Sequence, residues 1–562
     1  MKHFLLAAGS AALALAACAQ VPNPFSPSQA AEKTDPLDRA YHIAAEDKIL
    51  EAEAEPNPAD SLATAPLSDI AAAIASGAVT SEEMVEAYLA RIETIDRSGP
   101  TLQSVLSVNP NALADARAAD ARRAAGEPLG PLHGVPVLLK DNIESADPVA
   151  TTAGALALKD NITGRDAPLT AGLREAGAII LGKTNLSQWA NFRSTNSISG
   201  WSALGGQVRN PHMLTRTPCG SSSGSGAATA ASLAAGSVGT ETNGSILCPS
   251  TSNGIVGFKP TVGLVSQARI VPISSTQDTA GPMTRTVRDA ALMLTAMATG
   301  EGATDFAAAL DEDYFAGTRI GVLKFAEGGN AEVTARFADV LAALEAQGAI
   351  LVEIEENDLP DNYWSDAFLV LQAEFKHTLN EYLADAAPAV TARTLTDVIA
   401  FNKENADTEL YIFNQDIMEM SEAQPPLTDE TYIAARDNIL TASRDNGIDK
   451  FLSENEVELL VAPTRGPAFL IDAINGDQFG GGVGAGYLAA IAGYPQITVP
   501  MGFVRGLPVG VSFIGTAGQD ADVLSAGYAY EQATHLIEAP TYLSSAEEVD
   551  AVARALRPLE TE

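Results

Sequence analysis

A stretch rich in glycine and serine, residues 218–260, holds the side chains of this chain that are best suited to nucleophilic chemistry. Its serines carry hydroxyl groups that a neighbouring base can activate for attack on a carbonyl carbon. Its glycines allow positive φ and a close approach of the main chain, as an oxyanion-binding loop requires; they lie at positions 220, 224, 226, 239, 244, 254 and 257. The alanine-rich segment 227–235 and the apolar pair Ile255 and Val256 argue against a flexible linker, so we expect this stretch to be buried.

Other kinds of site fit the sequence less well. Residues 220–224 (GSSSG) match the nucleophile elbow of α/β-hydrolases, which would make Ser222 the nucleophile, but an elbow serine follows an apolar strand and here residues 216–219 (RTPC) precede it. No Gly-Lys-Ser or Gly-Lys-Thr ends the glycine run, as a phosphate-binding loop would require. Five histidines lie beyond the first twenty residues and none form an i, i+4 pair, so we expect no metal site.

The serine-rich stretch resembles the signature of a known family. The separation of two of its serines, 245 − 221 = 24, fits the amidase signature, and so do three segments: 220–222 (GSS), 239–246 (GTETNGSI) and 254–260 (GIVGFKP). The upstream segment 134–142 (GVPVLLKDN) resembles the catalytic-lysine strand of that family, and 506–510 (GLPVG) its C-terminal motif. The resemblance spans roughly residues 66–533 and is greatest to bacterial peptide amidases.

The resemblance implies roles for three side chains. Ser245 would be the nucleophile, Ser221 would pass on its proton from a position held by a cis peptide bond, and Lys140 would be the base. The oxyanion hole would be formed by the backbone N–H groups of Thr242, Asn243, Gly244 and Ser245. No cofactor is implied.

Lys140 can act as a base only when its amine is neutral. Burial must therefore lower its pKa from about 10.4 towards about 7 or 8. The apolar residues Val137 to Leu139 on one side and serine hydroxyls on the other would provide that environment. Without the resemblance, a lysine at the end of a strand would be interpreted as a solvated surface group.

Three residues beside the reacting centre differ from the commonest pattern of the family. Glu241 stands where Asp is usual, Asn243 where Gly is usual and Leu247 where Arg is usual. None of them is a member of the predicted triad. They leave the identity of the substrate open, because Asn243 and Leu247 border the predicted nucleophile.

These features predict a serine amidohydrolase that hydrolyses a carboxamide C–N bond and releases ammonia, with the C-terminal amide of a peptide as one candidate substrate. One alternative is an aryl or fatty acyl amidase or esterase of the same family. An alternative of another class is a catalytically inert binding lipoprotein, which the intact set of Lys140, Ser221 and Ser245 argues against. The net charge of −37 opposes a nucleic-acid partner, and it disfavours a tRNA-dependent amidotransferase subunit.

The first residues of the chain predict export. Lys2 and an apolar run at 4–17, too short to span a bilayer, are typical of a signal peptide over residues 1–17. Residues 15–18 (LAAC) resemble a bacterial lipoprotein cleavage box, which would make Cys18 the lipidated first residue of the mature protein. Ala19 favours the outer membrane, facing the periplasm. The membrane would be contacted through the lipid alone; an unlipidated signal peptide cleaved near Ala17 is the alternative.

Beyond the signal peptide the composition divides the chain. Residues 18–65 are rich in Pro, Ala and acidic residues and predict a tether, 66–545 predict one large α/β domain, and 546–562 a C-terminal tail. A capping box at 80–83 predicts the first helix of the domain. The resemblance implies a mixed central β-sheet covered by helices on both faces, and we expect the helical region 359–453 to line the acyl pocket.

Cys219 and Cys248 are the two cysteines that would remain after processing. Two cysteines are too few for a disulfide scaffold in a chain of this size. A disulfide between them would be possible in an exported protein, but we expect two buried free thiols.

Overall fold

A mixed β-sheet dominates the part of the chain that the computed structural model describes, residues 58–480 and 482–557. Within these residues eleven strands form the sheet and two more form a separate antiparallel pair. The strands are β1 (Val105–Val108), β2 (Pro136–Lys140), β3 (Ile179–Thr184), β4 (Trp201–Ser202), β5 (Gly206–Gln207), β6 (Gly236–Glu241), β7 (Val256–Lys259), β8 (Thr279–Thr284), β9 (Arg319–Leu323), β10 (Ile350–Ile354), β11 (Leu459–Pro463), β12 (Gln496–Val504) and β13 (Leu507–Ile514).

The order of the strands in the large sheet is β1-β3-β2-β6-β8-β7-β12-β13-β11-β9-β10. Strand β2 runs parallel to both of its neighbours, β3 and β6, whereas β8 and β13 pair antiparallel with theirs. Every residue of β2, β6, β8, β11 and β13 is buried. Because successive side chains of a strand point to opposite faces, both faces are covered at the centre of the sheet. The predicted α/β fold with a mixed sheet is confirmed.

Helices of very different lengths connect the strands. In the described residues they are α1 (Pro58–Leu62), α2 (Leu67–Ser76), α3 (Ser81–Arg91), α4 (Ala112–Ala124), α5 (Pro168–Glu175), α6 (Ser223–Ala230), α7 (Leu247–Ser252), α8 (Val287–Met297), α9 (Ala331–Ala346), α10 (Tyr363–Ala384), α11 (Leu395–Glu404), α12 (Ala406–Glu409), α13 (Asp416–Glu422), α14 (Glu430–Ser443), α15 (Asp449–Glu454), α16 (Gly486–Ala492), α17 (Asp520–Thr534) and α18 (Asp550–Leu556). None of these helices is both long enough and apolar enough to cross a membrane.

Local sequence signals account for several of these elements. Thr80 caps α3 by accepting a hydrogen bond from the N–H of Glu83, whose side chain accepts in return from the N–H of Thr80, as the predicted capping box requires. Met84 and Tyr88 on the same helix are buried. Strands β9 and β10 are joined by α9 into a strand-helix-strand unit, and the two strands are parallel.

Two apolar clusters determine how the serine-rich stretch is held. The larger cluster joins sheet residues such as Val238 to helix residues such as Met293. A second cluster joins Phe192 to Phe375 of α10, with their ring centroids 5.2 Å apart in an edge-to-face arrangement. Helix α10 is thereby packed near the segment that follows β3, next to the serine-rich stretch.

The described structure differs from the predicted boundaries at both ends. Helix α1 falls inside the predicted tether, and both Ala59 and Ala63 are buried in the larger apolar cluster, so the fold begins earlier than Pro66. Helix α18 falls inside the predicted tail. The signal peptide, Cys18 and most of the predicted tether lie outside the described residues.

Candidate active site

Lys140 is the last residue of β2, and its amine is completely buried. The parallel pairing of β2 with β6 brings it alongside Thr240, to which Lys140 Nζ donates at 2.8 Å (Oγ1) and 3.2 Å (carbonyl O). Its third contact is with Ser221 Oγ, at 2.8 Å. Asn142 holds the same Thr240 hydroxyl through a 3.0 Å hydrogen bond from Nδ2. Within the described residues, the amine of Lys140 therefore contacts hydroxyl and carbonyl oxygens and forms no ion pair with a carboxylate.

Burial lowers the pKa of Lys140 to about 7, because the charged amine loses its hydration. The negative charges of Asp278 and Glu241 oppose this shift without cancelling it. Burial also raises the pKa of Asp278 to about 6. The amine can therefore exist in its neutral form near neutral pH, as the expected base requires.

The segment 219–222 brings Ser221 to the lysine. The peptide bond between Gly220 and Ser221 is cis, as the resemblance implied. Gly220 has no room for a side chain, since a Cβ there would lie 2.2 Å from Ser187 Oγ. Ser222 is buried, and its hydroxyl accepts from the N–H of Thr240 at 3.2 Å and donates to its carbonyl at 3.1 Å. These hydrogen bonds occupy the hydroxyl of Ser222, which disfavours Ser222 as the nucleophile.

Ser245 lies in the loop between β6 and α7, next to the Ser221 segment. The carbonyl of Ser245 accepts a 3.1 Å hydrogen bond from the N–H of Ser222, which connects the two segments. The hydroxyl of Ser245 makes no hydrogen bond with any other residue in the described ranges and faces a cavity. It is therefore free to meet a substrate.

The carboxylate of Glu241 organises the Ser245 loop. One of its oxygens accepts from the N–H of Gly244 at 2.8 Å, and the other accepts from Ile246 at 2.7 Å and from Leu247 at 3.0 Å. Ile246 and Leu247 begin α7, so the carboxylate satisfies N–H groups that a helix start leaves without partners. Gly244 adopts φ +85°, in the left-handed region that glycine tolerates best. In the sequence, Glu241 stands out only as a departure from the family pattern, and these contacts with the loop were not predicted.

One of the four predicted oxyanion-hole donors, the N–H of Gly244, has a hydrogen-bond partner within the protein. The N–H of Gly244 already donates to Glu241, so it is not available to a substrate oxygen. The N–H groups of Thr242, Asn243 and Ser245 donate to no residue in the part of the chain that the structure describes. These three remain the candidate donors beside the Ser245 hydroxyl.

Cys219 and Cys248 form a disulfide, with their Cα atoms 5.8 Å apart. The expectation of two free thiols was therefore wrong. Both cysteines lie close in sequence to the hydrogen bond between Ser222 and Ser245, which brings the two segments side by side. The count of cysteines carried no information about this proximity, which depends on the tertiary fold.

A cavity of about 660 Å³ opens beside Ser245. One wall is formed by the Ser245 loop and the disulfide. The lining also includes apolar and aromatic side chains, among them Phe192, Ile273, Trp364, Leu371 and Tyr487. Trp364 and Leu371 belong to α10, so the predicted helical region does contribute to this cavity.

Comparison with known proteins places this arrangement in a family. A sequence model described as Amidase matches residues 83–524, which is most of the chain. The chain belongs to the amidase signature family. Membership makes the protein an amide-hydrolysing enzyme.

Three of its relatives align with this chain over most of their own length. A probable amidase of Arabidopsis thaliana is 36% identical over 508 residues, covering 86% of this chain and 93% of its own. The native peptide amidase of Stenotrophomonas maltophilia, known from an X-ray structure, is 43% identical, with a TM-score of 0.81 over 86% of this chain and 99% of that one. A crystal structure of the peptide amidase PAM with the competitive inhibitor chymostatin is 44% identical, with a TM-score of 0.82 over 85% of this chain and 99% of that one.

Proposed function

We propose that this amidase uses Ser245 as its nucleophile, Ser221 as a proton carrier and Lys140 as its base. The observation that carries the proposal is the buried lysine, with its pKa lowered to about 7, in hydrogen-bond contact with Ser221 Oγ at 2.8 Å. Lys140 accepts the Ser221 proton while Ser221 accepts that of Ser245, whose Oγ attacks the amide carbon. The N–H groups of Thr242, Asn243 and Ser245 are then the candidates to stabilise the negative oxygen.

The reaction is completed by returning the protons. Lys140 returns its proton through Ser221 to the amide nitrogen, the C–N bond breaks, and ammonia leaves an acyl group on Ser245. Water then attacks the ester carbon while the same two groups take its proton. When Ser245 regains its proton, the carboxylic acid is released and the enzyme is restored.

We further propose a peptide bearing a C-terminal carboxamide as the substrate. The related proteins of known structure include peptide amidases, one of them with chymostatin as a competitive inhibitor. The cavity beside Ser245, at about 660 Å³, lies in the range of sites that hold ligands of several residues or rings. Its aromatic wall, including Trp364 and Tyr487, suits the apolar side chains and backbone of a short peptide.

A panel of substrates distinguishes the proposed peptide amidase from the two alternatives, an aryl or fatty acyl amidase and an inert binding protein. Ammonia release is measured from peptide amides and fatty amides, and amine release from aryl amides, with the Ser245→Ala variant as the blank. Turnover of peptide amides well above the other classes supports the proposal. Preference for aryl or fatty substrates would favour the alternative amidase. Activity on no substrate, with the fold intact, would favour an inert binding protein.

The proposed location is the cell envelope, with the enzyme anchored through a lipid on Cys18. The support is the segment LAAC at residues 15–18, which follows an apolar run. The large excess of acidic residues, 71 against 34 basic ones, opposes adsorption of the protein to an anionic membrane surface. A covalent lipid would therefore have to supply the attachment.

A further inference from the structure

A second cavity, of about 850 Å³, adjoins the one that contains Ser245. The linings of both cavities include Arg465 and Val483, so the two spaces meet at these side chains. Arg216 and Arg505 also line the second cavity, together with the carboxylate of Glu332, polar residues and apolar residues. Three arginines therefore line this cavity in a chain with a net charge of −37.

Arg465 lies at the junction of the two cavities without an ion pair among the described residues. Its Nη1 donates to Cys219 Sγ at 2.6 Å, while its buried Nε has no hydrogen-bond partner in those residues. Asp477 acts on it electrostatically, but the oxygens of that carboxylate accept hydrogen bonds from Ser199. The rings of Phe469 and Phe479 lie 5.8 and 5.4 Å from the guanidinium carbon.

Arg216, like Arg465, has a guanidinium group without an ion pair among the described residues. One of its nitrogens, Nη1, donates to the carbonyl of Ala468 at 3.3 Å, and its buried Nε has no partner among the described residues. No carboxylate within the described ranges forms an ion pair with it. Arg505 differs, because its Nε lies 2.9 Å from Glu332 Oε2 and its side chain is 67% exposed. The cavity thus contains two unpaired, partly buried guanidinium groups and one paired, exposed group.

Unpaired guanidinium groups are costly to remove from water, and they bind carboxylates through parallel N–H···O bonds. In the proposed reaction the leaving group is ammonia, so every other atom of the substrate belongs to the acyl part. An acyl part too long for the Ser245 cavity has the neighbouring cavity open to it, and Arg465 lines both cavities.

We propose that Arg465 and Arg216 form a carboxylate-binding subsite for the acyl part of the substrate. The substrate class is a C-terminally amidated peptide with an Asp or Glu side chain one or two residues before the amidated residue. This inference rests on the proposed peptide amidase function and specifies its substrate. The rival explanation is that both arginines only support the fold, through Cys219, Ala468 and the phenyl rings.

The test uses N-acetylated tripeptide amides in matched pairs. Glu is compared with Gln at the first and at the second position, with the amidated residue held constant, and kcat/KM is measured for each. We expect the wild-type enzyme to prefer Glu at one of these positions by at least about tenfold, mainly through KM. Arg465→Met and Arg216→Met should each bring this ratio close to one. Arg505→Met is the matched control and should leave the ratio unchanged, because Arg505 is already paired.

Binding measurements separate this inference from the proposed function. The same peptide amides are titrated into the Ser245→Ala variant by isothermal calorimetry, and tighter binding of the Glu peptide supports the subsite even if no peptide amide is turned over. If Arg465→Met does not fold, Arg465→Lys and Arg216→Met are used instead. We expect both variants to prefer Glu over Gln less strongly than the wild-type enzyme does. Equal kinetics and equal binding of Glu and Gln peptides at both positions would overturn the inference, as would a preference that survives in both arginine variants.

Discussion

Lys140 Nζ and Ser221 Oγ lie 2.8 Å apart, although the two residues are 81 positions apart in the chain and belong to different elements. The lysine comes from the end of β2 and the serine from a segment that precedes α6. Their contact is closed off from water, because both side chains are completely buried. Proton transfer between them therefore depends on the sheet pairing that aligns β2 with β6.

The pH dependence of the enzyme should report the protonation of Lys140. Burial lowers the pKa of this amine to about 7, so below that pH it carries a proton and cannot accept another. We expect kcat/KM to rise with pH through an apparent pKa near 7, a value that belongs to the coupled lysine and serine system. Lys140→Ala should remove most of the rate, and Lys140→Arg should be no better because guanidinium stays charged. Full activity in Lys140→Arg would contradict the mechanism.

The replacement Ser245→Ala should abolish turnover and leave the fold intact. Its hydroxyl has no hydrogen-bond partner in the described ranges, so its removal leaves no buried group unsatisfied. We expect kcat to fall by at least about 10⁴-fold, with an unchanged melting temperature. Ser222→Ala is the matched comparison: it removes two hydrogen bonds to Thr240 and should cost about 1–3 kcal/mol of stability. A larger loss of kcat in Ser222→Ala than in Ser245→Ala would favour the nucleophile elbow.

The carboxylate of Glu241 should be required for both stability and rate. In Glu241→Gln, an amide NH2 replaces one of the oxygens that accept from Gly244, Ile246 and Leu247, so at least one N–H loses its partner. We expect a loss of about 1–3 kcal/mol in urea denaturation, together with a lower kcat as the Ser245 loop moves. Glu332→Gln, which removes an exposed ion pair, is the control and should change stability by at most about 1 kcal/mol. Equal effects in the two variants would refute the bracing role.

Removal of the disulfide should destabilise the enzyme. In Cys248→Ala the contact of Arg465 with Cys219 Sγ can persist, but the crosslink across 29 positions is lost. The loop-closure argument predicts a loss of about 3–4 kcal/mol, measured as a lower midpoint of denaturation. A reductant should lower the midpoint of denaturation of the wild-type protein to near that of the variant. A reductant that lowers the midpoint of the variant as much as that of the wild type would show that the disulfide is not responsible.

The anchor can be tested independently of the chemistry. Cys18→Ala should release the enzyme into the soluble fraction or leave its precursor unprocessed by the lipoprotein pathway, since the thiol that would carry the lipid is missing. The wild-type protein should begin at Cys18 and carry acyl chains by mass spectrometry. A mature protein that begins elsewhere without a lipid would exclude the anchor and leave the amidase activity unaffected.

The parts of the site that short contiguous motifs encode were predictable from the sequence. Lys140, Ser221 and Ser245 each lie in a segment with a recognisable pattern, and the structure brings Lys140 into contact with Ser221 and places Ser245 on the neighbouring segment. The resemblance also implied the mixed sheet that the structure shows. Local signals such as the Thr80 capping box were also recognisable in the sequence.

Contacts that form only in the folded chain were not predictable from the sequence. The hydrogen bond from the N–H of Gly244 to the side chain of Glu241, three residues earlier, had no signal in the sequence. The disulfide was missed because nothing in the cysteine count indicates that Cys219 and Cys248 become neighbours. Arg465 and Trp364 reach the cavities from segments without a motif, so their positions emerge only from the three-dimensional packing.

The crosslink between Cys219 and Cys248 makes the intervening chain a covalent ring, and both Ser221 and Ser245 are part of that ring. A single break of the backbone inside the ring would leave the two serines on one molecule. Lys140 lies outside the ring and is held beside it by non-covalent contacts, including the pairing of β2 with β6. In the oxidised protein, denaturation therefore separates the lysine from both serines while each serine stays confined near the other.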